Sequence, residues 1–250
     1  AVRQFPHVAG PLPTLLFPAL AIVFAVVEND PAMWRFLIRE DGPVEDATSA
    51  ALAVAGIVFA FAARRYPLAP GARRFCVVFS LLLLVAALEV ISWGQRIIGV
   101  SSPDFFREHN AQQELNIHNT LQQWVPFTCP ICTDGRLLTK HVVILGLAAY
   151  GIVAPVLLHV RSLQPYLLAR YVVYPPLFLS PAIVIAGMFM FDWFDVPFGN
   201  EEEVGEFLLG LYLVMFAWQV ARRRSCCDTV VLARDDGGVP WRQEPASSRT

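Results

Sequence analysis

The chain has 250 residues, of which 56% are hydrophobic and only 16% charged, with a formal net charge of −2 and a mean hydropathy of +0.50. An average soluble domain carries about 25% charged residues, so this composition excludes an ordinary soluble enzyme and implies an integral membrane protein. The near-neutral balance supplies no whole-chain basic field and argues against a nucleic-acid partner.

Uninterrupted apolar runs predict membrane spans over residues 12–27, 47–63, 75–93, 142–160, 172–191 and 204–221. A span needs about 17–25 residues, and the chain has room for about six with their loops. The expected fold is therefore all-α, a polytopic helical bundle in one domain over residues 1–225, with a motif loop over 94–141. Residues 226–250 lack apolar periodicity and read as a disordered tail. Arg3 precedes the first run as in a signal peptide, yet no small-x-small cleavage site follows before Glu28, so the run is expected to be retained. Pro18, Pro175, Pro176 and Pro181 predict kinks or broken turns in the first and fifth spans.

Charge sets the expected orientation. The loops after the second and fourth spans carry Arg64, Arg65, Arg73, Arg74, Arg161 and Arg170 without an acidic residue, and the last span ends in Arg222-Arg223-Arg224. The positive-inside rule puts these in the cytoplasm, with both termini. Glu28, Asp30, Glu40, Asp41, Glu45 and Asp46 then lie outside, with Asp192, Asp195, Glu201, Glu202, Glu203 and Glu206. Trp34, Trp93, Trp124 and Trp193 fall near the outer interface, as an aromatic belt does. Glu45 and Glu206 each stand where a span begins, and a capping role suits a carboxylate there.

Chemistry concentrates where the third apolar run ends. Glu89, Ser92, Trp93 and Arg96 follow at i, i+3, i+4 and i+7, which on a continuous helix is one face. A carboxylate about one turn inside a span is read as functional by default, with Arg96 or a histidine as partner. Beyond it, Glu114 and His118 share a face whether their segment is helix or strand, and an interfacial helix packed on the bundle is the expected form. The candidate catalytic set is thus Glu89, Arg96, Glu114 and His118.

Neutral imidazole and carboxylate are also ligands of divalent transition metals, which makes Glu89, Glu114, His118 and His109 a candidate metal set. The competing reading is that these groups tie the loop to the bundle by hydrogen bonds. Haem is disfavoured, because His141 and His159 lie at opposite ends of one span. Cys129 and Cys132 form a single C-x-x-C in the outer loop. Without a second outer pair to relay electrons, they read as a local disulfide clip rather than a redox centre.

Glu89-Val90-Ile91-Ser92-Trp93-Gly94-Gln95-Arg96-Ile97-Ile98-Gly99, followed by Glu108-His109-Asn110-Ala111-Gln112-Gln113-Glu114-Leu115-Asn116-Ile117-His118-Asn119, resembles a family of uncharacterised bacterial multi-pass membrane proteins with this paired signature. Glu40-Asp41-Gly42 through Glu45 fits the same family, and the resemblance spans most of residues 30–220. The family often has a second acid after the first glutamate, where this chain has Val90. The resemblance implies a shared site and brings no activity with it.

Three function classes follow. The chain is expected to be a membrane-embedded enzyme acting on a lipid or lipid-linked substrate at the outer leaflet. Alternatively it is an accessory or assembly subunit that contacts other membrane subunits, or a proton-coupled carrier.

Overall fold

In a computed structural model, residues 12–39, 41–66, 68, 70–110, 113–117, 120, 139–158, 160, 162–163, 172–194 and 199–222 are described, without the side chains of 12–14, 96, 139 and 140. His118, Trp124, Cys129, Cys132, His159 and the 226–250 tail lie outside the described residues. What is described is all helical. The elements are α1 (Leu12–Val27), α2 (Pro31–Ile38), α3 (Pro43–Arg65), α4 (Pro70–Val90), α5 (Gln95–Ile98), α6 (Asp104–His109), α7, α8 (Ser180–Met190) and α9 (Glu202–Arg222). Helix α7 begins as Thr139–Ala148, passes through a π turn at Ala149–Val153 and ends as Ala154–Leu157.

Three stretches are long and apolar enough to cross a membrane: Pro31–Arg65, in which α2 and α3 are separate helices, then α4 and α9. The remaining apolar runs also fold as helices, but shorter ones, at Leu15–Val27, His141–Leu157 and Leu177–Met190. Proline explains part of the shortening. Pro175 and Pro176 hold the backbone before them out of the α region, so the helix expected from residue 172 begins only with a 3-10 turn at Leu177–Leu179. Pro181, in the first turn of α8, is tolerated because its missing N–H would have had no intrahelical partner.

Helix α9 is the hub, packed between α3 and α8; α4 covers α3, α7 covers α8, and α1 lies against α8 and α9. Small residues allow the close approaches. A Cβ at Gly210 would sit 3.0 Å from Ala51 Cβ, and one at Gly205 would sit 2.8 Å from the Ala186 carbonyl oxygen. Interhelical hydrogen bonds add to this, as expected where no water competes: Ser49 Oγ donates to the Ala87 carbonyl at 2.9 Å and Ser80 Oγ to that of Gly56 at 2.7 Å. An aromatic cluster of Phe59, Phe79, Tyr150 and Phe216 fills the interior, with Phe59 and Phe216 rings 5.3 Å apart.

These registers fix direction. Ala51 meets Gly210 and Phe59 meets Phe216, so α3 and α9 run parallel; α4 and α8 run against them. His141 stacks on Phe191 at 4.7 Å, so α7 starts where α8 finishes. One end of the bundle consequently carries Glu45, Asp46, Glu89 and the Glu201–Glu203 run, and the opposite end carries Arg64, Arg65, Arg73, Arg74 and Arg222.

Candidate functional site

Helix α4 stops at Val90, one residue past Glu89. The continuous helical face expected for Glu89, Ser92, Trp93 and Arg96 is therefore not formed. Ser92, Trp93 and Gly94 instead take φ of 45°, 56° and 70°, three left-handed residues in a row. Glycine adopts such a value readily, whereas each non-glycine residue there costs of order 1–2 kcal/mol and must be held by its surroundings. Two carboxylates do the holding. Glu89 Oε1 accepts from Trp93 Nε1 at 2.5 Å, and Ser92 Oγ donates to Glu114 Oε2. The chain resumes as the single helical turn α5, which Gly99 closes with φ 72° and an N–H bond to the Gln95 carbonyl.

The second signature lies directly over this turn. Glu89 Oε2 accepts the Ile117 N–H at 2.6 Å, and Gln95 Oε1 accepts the Leu115 N–H at 2.8 Å. Gln95 Nε2 donates to Ser102 Oγ at 2.8 Å, which donates onward to the Gln113 carbonyl at 2.6 Å. Asn116 Nδ2 reaches Ser92 Oγ at 3.3 Å. Beneath, Asn110 Nδ2 bonds Asn116 Oδ1 at 2.8 Å, and Thr120 Oγ1 donates to the Asn116 carbonyl at 2.9 Å. Buried polar groups need such partners, and Ser92, Ser102, Asn110, Glu114, Asn116 and Thr120 are all buried. The paired signatures are thus two halves of one hydrogen-bonded cap.

Of the sequence-derived site, Glu89 and Glu114 are brought to the same turn from 25 residues apart in sequence, Glu89 half-buried and Glu114 only 8% exposed. Residues 114–115 form a bend rather than the expected helix or strand, with the Leu115 N–H committed to Gln95 and the Ile117 N–H just beyond to Glu89. The backbone of Arg96 lies in α5; its side chain and all of His118 are outside the described residues. His109 ends α6 with Nδ1 2.9 Å from the Phe105 carbonyl and its ring stacked on Phe105. Among the described residues no group of three or more His, Cys, Asp or Glu side chains could hold a metal ion. Glu45 Oε2 accepts the Asp41 N–H at 2.6 Å, one residue before Gly42, the N-cap of α3, which itself receives no side-chain cap bond.

Sequence reasoning gave no role to Gln95, Ser102, Asn110, Asn116 or Thr120. Gln95, Asn110 and Asn116 stand inside the paired signature, which was the available signal; Ser102 and Thr120 carry none. Around the cap the apolar side chains of Ile97, Ile98, Val100, Phe105 and Ile117 point outward, 81% exposed at Ile97 and 72% at Ile98. The chain matches no protein-family model, no curated protein and no solved structure.

Proposed function

We propose that this chain is a six-span protein of the bacterial inner membrane, with both termini cytoplasmic, and that its cap is an acid–base site at the outer membrane interface acting on a lipid or lipid-linked substrate. One observation carries the reading: two carboxylates from separate motifs meet at one left-handed turn, one buried and one partly open. Two carboxyl groups in unlike environments are the usual means of separating proton donor from proton acceptor. Half-buried Glu89 takes the role of general base, and Glu114 holds the turn through Ser92 and positions it. Arg96 anchors an anionic headgroup, and His118 carries protons or ligates a metal. The outward ring of Ile97, Ile98, Val100 and Ile117 supports an interfacial setting, since apolar side chains beside a polar network dip into the headgroup boundary.

The same ring supports a second reading, an accessory subunit that docks other membrane proteins through an exposed apolar surface. A carrier receives less support, because no charged side chain stands in the middle of α3, α4, α8 or α9. Lipid extracts from cells producing the wild-type chain or Glu89→Gln at equal abundance test the proposal. An enzyme changes a lipid or lipid-linked species in a Glu89-dependent way. Unchanged lipids together with co-purification of a defined membrane partner favour the accessory subunit.

A further inference from the structure

The end of the bundle opposite the cap carries a second feature. A cleft of about 430 Å³ runs along the first half of α4, lined by Arg74, Phe75, Val78, Phe79 and Leu82 and closed on one side by Val172. That is within the range of about 300–1,000 Å³ typical of ligand sites. Its floor is aromatic. Phe75 and Phe79 stack at 5.3 Å, and Tyr150, from the π turn of α7, lies 6.1 and 6.3 Å from their ring centres. The Tyr150 hydroxyl donates to the Val173 carbonyl, which ties the wall to the floor. Val78 and Leu82 are 55% and 60% exposed, so the cleft opens sideways, where lipid chains run.

Arg74 stands at one mouth of this apolar channel, with Arg64, Arg65 and Arg73 at the same end of the bundle and likewise exposed. No Asp or Glu occurs in residues 60–80, 145–180 or 210–222. Among the described residues no carboxylate pairs with any of these arginines. A guanidinium at the head of an apolar groove, with no carboxylate paired to it among the described residues, complements a phosphate joined to a hydrocarbon chain. We infer that the cleft holds one anionic phospholipid, its phosphate on Arg74 and an acyl chain along Phe75, Val78, Phe79 and Leu82. The inference uses no residue of the cap, so it stands or falls separately from the acid–base reading.

Native mass spectrometry of the full chain in detergent, titrated with phosphatidylglycerol, phosphatidylcholine or inorganic phosphate, tests it. One phosphatidylglycerol should bind about fivefold more tightly than phosphatidylcholine, whose choline offsets its phosphate, the factor that one arginine supplies toward a net anionic headgroup. Arg74→Gln should erase that preference, and Leu82→Trp, which fills the channel from an exposed position, should weaken both lipids. With the wild-type chain alone, raising salt to about 0.5 M should also remove the preference. The inference is overturned by equal binding of the two lipids, by a preference that survives Arg74→Gln, by phosphatidylglycerol affinity unchanged in Leu82→Trp, or by displacement of the lipid by millimolar phosphate.

Discussion

Ser92 donates its hydroxyl proton to Glu114 Oε2 across 22 positions of the chain, and both side chains are buried. This bond joins the two signatures at the point where the backbone leaves α4. Replacing Ser92 by Ala removes a donor from a buried carboxylate and the restraint on a left-handed residue together. A loss of about 1–3 kcal/mol is expected, the usual penalty for a buried polar group deprived of its partner. Thermal unfolding in detergent measures it; a Ser92→Ala melting temperature equal to wild type would show that the bond contributes nothing.

Glu89 accepts two hydrogen bonds on two different oxygens. In Glu89→Gln the amide nitrogen can only donate, so either the Trp93 indole or the Ile117 N–H loses its acceptor. In Glu89→Ala both lose it. Stability should therefore fall in the order wild type, Gln, Ala, with about 1.5–3 kcal/mol for each charge-assisted bond removed. Activity should suffer comparably in both variants. Proteolysis of the 99–117 segment reports the first trend, and equal susceptibility of the two variants would contradict it.

Gly205 and Gly146 make a matched pair for the packing argument. Alanine favours helix over glycine by roughly 0.5–1 kcal/mol. At Gly146 no atom of the described residues lies within 4 Å of a new Cβ, so Gly146→Ala should be neutral or stabilising. At Gly205 the Cβ would meet Met190 Cγ at 2.6 Å and the Ala186 carbonyl at 2.8 Å, backbone that cannot step aside. Gly205→Ala should be destabilising in the same melting assay, against the propensity trend. A stabilised Gly205→Ala would mean that α8 and α9 do not pack at this distance.

The orientation proposed from charge has its own check. Single cysteines introduced at Arg73 and at Asp104, in a background lacking the native thiols, should label in opposite senses with a membrane-impermeant maleimide on intact cells. Position 104 should react and position 73 should not. Reaction at 73 from outside would invert the topology.

Much of the architecture was legible because its cause is local. Each apolar run became a helix, and several boundaries moved at a residue with a steric reason: Pro70 advancing α4, and Pro175 and Pro176 delaying the helix that leads into α8. The site was legible only in part. Glu89 and Glu114 were identifiable as costly polar groups beside apolar runs, and they do converge. The helical-face argument for Ser92, Trp93 and Arg96 failed, because periodicity assumes that the helix continues.

What the sequence by itself determined is the class of the molecule, an all-helical chain with helices apolar and long enough to span a membrane and with acidic and arginine-rich loops kept apart, since hydropathy and charge are properties of each residue alone. Tertiary structure alone decided the cap. Its decisive bonds run from the Glu89 and Gln95 side chains to the backbone N–H groups of Ile117 and Leu115, donors that every non-proline residue possesses and that no residue code distinguishes. The left-handed turn at Ser92 and Trp93 is held by the Trp93–Glu89 and Ser92–Glu114 bonds. A conformation that each residue disfavours in isolation persists there because carboxylates from two separate segments hold it.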